Sequence, residues 1–242
     1  SSGACLVEDA AQAFGNLFPG TDNLKLGLKG DAGFYSFGRG KPISIMHGGL
    51  LVVNSPGMFH EVERIAAGLS SDAAHSRYVI SLGSYALFRN PRLYWLPQMV
   101  PSLNLGGTVF EPEFDMKKGL GQAAVLLAEM ISTLETEKEI RKLHSDWYLD
   151  NLTDSSIRND WGYRGFPYLR YPIMIDDRAL RARILEKLIE GGTGATGSYP
   201  APLNELPKLK EVLADASEYA GAREISETIV TLPVHSGVSA AD

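Results

Sequence analysis

The stretch Val7-Glu8-Asp9-Ala10-Ala11-Gln12-Ala13, followed by Gly33-Phe34-Tyr35-Ser36-Phe37-Gly38-Arg39-Gly40-Lys41-Pro42, decides the fold. Ala4 to Val7 reads as a short buried strand that runs into the acidic pair Glu8-Asp9. Gly33 to Phe37 is apolar and aromatic, as a second buried strand would be. Two glycines and a proline over Gly38 to Pro42 cannot continue a ladder, so that strand ends in a loop. Gly48 to Val53 reads as a third strand, closed by Asn54-Ser55-Pro56. Three short apolar strands joined by compact loops predict part of an α/β sheet.

Outward from this core the helical spacing is plain in places. Met58 to Leu69 carries apolar residues at helical steps. Lys117 to Asn151 predicts one long helix, with Leu120, Ala124, Leu127, Ile131 and Leu134 on a stripe that Leu143 and Trp147 continue. Tyr168 to Ile175 reads as a strand and Arg178 to Glu190 as a helix stopped by Gly191-Gly192. A helix from Lys208 to about Ala216 and a last strand over Thr228 to Leu232 complete the pattern. Residues 84–113 are rich in aromatics and prolines and predict an irregular excursion, with a helix before it.

The chain has 242 residues, 44% of them hydrophobic and 21% charged, which supports a sizeable core and excludes wholesale disorder. The net charge of -6, without a basic run, argues against nucleic acid as a partner. No apolar stretch approaches a membrane span. Cys5 is the only cysteine, so a disulfide framework is excluded and a cytoplasmic setting is expected; we expect Cys5 in the core. The chain opens Ser1-Ser2-Gly3 and not on methionine, which predicts either that a leading segment was removed or that this is a piece of a longer protein.

Several short motifs fail on context. Gly192-Thr193-Gly194-Ala195-Thr196-Gly197 matches the dinucleotide pattern, but it follows a helix and runs into prolines. The motif needs a strand before it and a helix after, so that the helix N-terminus meets the pyrophosphate. Gly40-Lys41 resembles the end of a phosphate loop, but Pro42 stands where a hydroxyl must hold magnesium. Ser36 is not in a nucleophile elbow, because Phe34 stands two residues before it. The five histidines have no metal-ligand spacing, and no metal site is expected.

What remains is an ordered set: Asp9 after a strand, with Gln12 beside it, Ser36 near the end of the next strand, and Lys41 in a glycine-rich turn. In open α/β sheets, ligands gather at the carboxyl ends of strands. Acid, hydroxyl and lysine are what pyridoxal phosphate needs: an amine for its aldehyde, a carboxylate for its ring nitrogen, and donors for its phosphate. Taken singly, such an aspartate commonly caps a turn and such a lysine is commonly solvated.

These residues also resemble a family. Val7 to Ala13, Gly30 to Phe37, Lys41 and Gly48-Gly49 are similar to the DegT/DnrJ/EryC1/StrS aminotransferases. So are Leu120 to Ala124, Tyr199-Pro200-Ala201-Pro202-Leu203 and Leu232-Pro233-Val234-His235. The resemblance implies an α/β, fold-type-I (aspartate aminotransferase-like) architecture. A partial cofactor-binding large domain over residues 1–114 would be followed by a linking helix and a small α/β domain over 115–242. It implies pyridoxal 5'-phosphate bound through Asp9 at the pyridine nitrogen, Gln12 near the ring's 3-oxygen, Ser36 at the phosphate and a Schiff base at Lys41, the catalytic proton shuttle. It implies glutamate as amino donor, a nucleotide-linked keto sugar as acceptor, a place in polysaccharide biosynthesis, and a homodimer. The family's dehydratase branch carries histidine where Lys41 stands.

Departures are visible. His47 replaces the family's usual glutamate, and Asp115 stands near its phosphate-directed asparagine. Residues 84–113 do not follow the common pattern, and the family's phosphate-cradling helix and ring-stacking aromatic have no counterpart, so the chain reads as a C-terminal portion. Two alternatives stay open: a non-catalytic remnant of the fold, and a fold-type-I enzyme for a different amino substrate.

Overall fold

The computed structural model describes residues 4–21, 23–71, 75–88, 116–160, 162–213 and 217–238. Contacts divide the chain into two compact units; among the described residues the first runs up to Glu135 and the second starts at Thr136. The expected boundary at 114 to 115, Asp115 itself and most of the aromatic stretch lie outside the described residues.

The first unit is built on a three-stranded sheet of β1 (Val7–Asp9), β2 (Ala32–Ser36) and β3 (Gly49–Val53), in that order. β1 and β2 run parallel, Val7 opposite Ala32 and Asp9 opposite Phe34. β3 returns antiparallel, with Gly49 opposite Ser36 and Leu51 opposite Phe34. Because side chains alternate across a sheet, Tyr35 and, beyond it, Phe37 fall on one face, and Asp9, Phe34 and Ser36 on the other. The Tyr35 and Phe37 face is covered. Both residues are buried with Ala10, Ile43, Ile45, Leu120, Ala123 and Leu134. The Phe14 ring stands edge-on to both aromatics at 5.2 and 5.1 Å. Each large apolar side chain buried this way contributes roughly 1.5–3 kcal/mol. The opposite face is open: Val7 is 50% exposed, Phe34 38% and Leu51 49%. Cys5 differs from expectation, being exposed with its thiol 3.1 Å from the Met58 sulfur.

Helices α1 (Pro56–Gly68) and α2 (His75–Phe88) follow, the first beginning at a proline suited to a first helical turn. The single helix expected over Lys117 to Asn151 is instead two, α3 (Gly121–Ile131) and α4 (Leu134–Asn151). At the break, the Ser132 and Thr133 hydroxyls donate to the Glu129 and Met130 carbonyls at 2.7 and 2.8 Å. Their backbone N–H groups donate to the same two carbonyls, three residues back, so the last turn tightens and the α-ladder stops. The break shifts the helical phase. Leu143 and Trp147 are 69% and 59% exposed, and Arg141, Ser145 and Tyr148 turn inward in their place.

The second unit pairs β4 (Arg170–Met174) antiparallel with β5 (Ile229–Pro233). α5 (Arg178–Glu190), α6 (Pro207–Leu213) and α7 (Ala220–Thr228) complete it. Ile175, Val230 and Val234 are completely buried at its centre, with Tyr171, Ile173, Ala195 and Leu232 around them. The glycine run between α5 and β5 has a structural task. Arg170 donates to the Gly194 carbonyl at 2.6 Å, and a Cβ at Gly197 would sit 2.4 Å from the Arg181 guanidinium. The dinucleotide-like motif is thus a bed for two arginines, with a helix before it as expected.

Candidate active site

The site follows from how β1 and β2 end. β1 stops at Asp9, where Ala10 turns back: the Ala13 N–H donates to the Ala10 carbonyl at 2.9 Å, leaving Gln12 exposed in the turn. Asp9 accepts the Ala11 N–H on one oxygen at 3.0 Å. Its second oxygen has no partner among the described residues. Two residues beyond Phe34, which lies opposite Asp9, β2 ends at Ser36. Asp9 and Ser36 therefore project from the same open face, at the carboxyl ends of adjacent parallel strands. Ser36 Oγ accepts the Gly38 N–H at 3.3 Å, which leaves the hydroxyl proton free to be donated.

Lys41 rides on a loop whose neck is closed at Phe37. The Phe37 N–H donates to the Gly48 carbonyl and its carbonyl accepts the Ile45 N–H, both at 3.0 Å. Ile43 and Ile45, 3% and 2% exposed, anchor the loop in the core. Gly40 holds φ at +71° at the tip, a conformation that suits glycine. Lys41 is half-buried, and no carboxylate lies within ion-pair distance of its amine among the described residues. Met46, a non-glycine residue at φ +62°, and His47, whose ring lies 5.6 Å from the Tyr78 ring, close the loop. Two hydroxyls here are buried without a partner among the described residues, Ser44 Oγ and Tyr78 Oη.

The donor set fits the cofactor expected from the sequence: a carboxylate and a hydroxyl at the carboxyl ends of adjacent parallel strands, and an amine on the loop that follows the second of them. No group of three or more potential metal ligands occurs among the described residues.

Two supports escaped the sequence reading. Glu8 accepts the N–H groups of Gly27, Lys29 and Gly30, so the polar turn before β2 folds around its carboxylate. These bonds, led by that of Gly30 and opposed by desolvation, hold its carboxyl below the usual glutamate range. The acidic pair at the strand end was the available signal. Phe37, the neck residue, could not be told from any other strand aromatic.

The family model for the DegT/DnrJ/EryC1/StrS aminotransferases matches residues 1–242. No curated protein matches the sequence. The fold matches solved structures of low identity. The aminotransferase TlmJ from Streptoalloteichus hindustanus is 21% identical, with a TM-score of 0.69 over 99% of this chain and 56% of that one. Helicobacter pylori PseC, an aminotransferase involved in the biosynthesis of pseudoaminic acid, is 18% identical, with a TM-score of 0.66 over 98% and 56%. The E. coli GDP-4-keto-6-deoxy-D-mannose-3-dehydratase with bound hydrated PLP is 15% identical, with a TM-score of 0.65 over 96% and 56%. The chain thus spans 56% of the length of each of these structures.

Proposed function

The chain belongs to the DegT/DnrJ/EryC1/StrS aminotransferase family, and from that membership we propose that the protein is a pyridoxal-phosphate-dependent aminotransferase for a keto sugar, anchored at Lys41. The observation that carries the proposal is the Lys41 amine, half-buried and without an ion-pair partner among the described residues, on a loop tied at Phe37 just beyond the strand that ends at Ser36. Bound pyridoxal phosphate supplies an electron sink and a carrier for the amino group. The free oxygen of Asp9 would hold a proton on the pyridine nitrogen, and Ser36 would donate to the phosphate. Gln12 would approach the ring's 3-oxygen. The Lys41 amine would take the proton from the donor's α-carbon and return it on the acceptor side. We place the end of the cofactor-binding portion near residue 114, and expect glutamate as donor, a nucleotide-linked sugar as acceptor, a homodimer and a cytoplasmic setting.

Mixing the chain with pyridoxal phosphate, reducing with borohydride and mapping the modified peptide tests this. The expected result is a single adduct on Lys41, absent from a Lys41→Ala variant with an unchanged unfolding midpoint. An adduct elsewhere would refute the role of Lys41. No adduct on well-folded chain would favour the non-catalytic scaffold.

A further inference from the structure

The inner face of α4 carries two buried polar groups without a partner among the described residues. Arg141 is 8% exposed, and its Nε meets no acceptor. Ser145, one turn on and on the same face, is 1% exposed, and its Oγ is equally without a partner. A buried helical serine ordinarily bonds back to its own helix, and this one does not. Leaving an N–H of a charged guanidinium out of water without an acceptor costs more than leaving a neutral one so.

The described neighbours do not supply the missing acceptor. Glu137 is the carboxylate that acts on Arg141, but no ion pair forms between them, and Glu137 accepts the Ser236 hydroxyl at 2.6 Å. His144 is engaged with the Val234 carbonyl at 3.1 Å. His235 adds a further donor-bearing ring, with Nδ1 accepting the Gly237 N–H at 3.1 Å so that Nε2 carries the proton. Desolvation first, then the charges of Arg141 and Arg170, push its pKa down, while Glu137 acts the other way. Arg170 itself is spent on the carbonyls of Gly194 and Thr231.

We propose that Arg141, with the Ser145 hydroxyl beside it, forms a binding site for a small oxyanion, a carboxylate or a phosphate, on the inner face of α4. The guanidinium fork suits either anion, and the serine hydroxyl adds one more donor. The site lies wholly in the second unit, and it stands whether or not Lys41 holds a cofactor.

The test is thermal unfolding of the chain against increasing sodium phosphate or sodium succinate, at ionic strength held constant with sodium chloride. One or both anions should raise the midpoint in a saturable way, by about 2–4 °C at several times the dissociation constant. Response to phosphate alone identifies a phosphate; response to succinate identifies a carboxylate. Arg141→Met should abolish the response and, having no charge to strand, unfold at a higher midpoint than wild type in anion-free buffer. If Arg141→Met does not fold, Arg141→Lys should raise the half-saturating concentration roughly tenfold, because the fork is lost. No saturable response in wild type, or an undiminished one in the Arg141 variants, would overturn the proposal.

Discussion

Glu8 shows how one carboxylate organises a site it never enters. Its three backbone partners fix the turn before β2, and Gly33 in β2 packs so closely on that turn that a Cβ would sit 2.0 Å from the Gly27 carbonyl. The Tyr35 hydroxyl ties the same segment by donating to the Leu26 carbonyl at 2.7 Å. The folded protein depresses the pKa of Glu8, so its contribution is present above the unfolded value and lost as pH falls through the folded one. Glu8→Gln should therefore be less stable than wild type at neutral pH. The gap should close on acidification below the ordinary glutamate value of about 4.3. Urea melts over that range check this; two parallel stability curves would show that the charge of Glu8 does no stabilising. The positions of Asp9 and Ser36 at strand ends, and of Lys41 on the loop that follows, were legible because strand and turn residues alternate plainly there. Arg141 and Ser145 were not, because apolar periodicity looks past a polar residue that faces inward.

Among the elements, α5 has the most explicit start signal. Asp177 caps it, one carboxylate oxygen accepting the Ala179 and Leu180 N–H groups at 2.9 and 3.0 Å. Asp177→Ala should cost about 1 kcal/mol by chemical denaturation, and Asp177→Asn much less, since the amide oxygen still accepts. Equal losses in the two variants would assign the effect to charge instead of to the cap. That helix was read from sequence with its observed bounds from its apolar steps and terminal glycines; the Asp177 cap is a signal that reading did not use. α3 and α4 were read as one because a continuous apolar stripe outweighs two hydroxyl residues in any periodicity count. α7 escaped altogether: its buried residues, Ser226 and Thr228, are polar, and they satisfy themselves on the carbonyls of Arg223 and Glu224. A helix whose inner face is hydroxyl-lined leaves no hydrophobic trace.

At the scale of the molecule, the first unit has a sheet with one packed face and one open one. Phe34 and Leu51 lie directly opposite each other on the open face. Replacing both with threonine should lower the fluorescence of an apolar-surface dye and reduce light scattering, while stability moves by only about 0.5 kcal/mol per site. A large loss of stability would mean that these side chains pack inside the unit. The sheet's existence was legible in three apolar runs; which of its faces is covered was not, because a run apolar on both sides carries no alternation to tell them apart. The lysine loop carries a consequence in time. Its neck joins positions 37 and 48, whereas the β1–β2 pairing must bring position 7 to position 32. Closing a loop of about ten residues takes roughly 10–100 ns, far quicker than a strand pairing assembled across a longer tether. The neck of the Lys41 loop can thus close early, and it becomes lasting when Ile43 and Ile45 dock into the core with Leu120 and Leu134. A cofactor reaching it meets a finished shape, so encounter, not reorganisation, should set how fast it is captured.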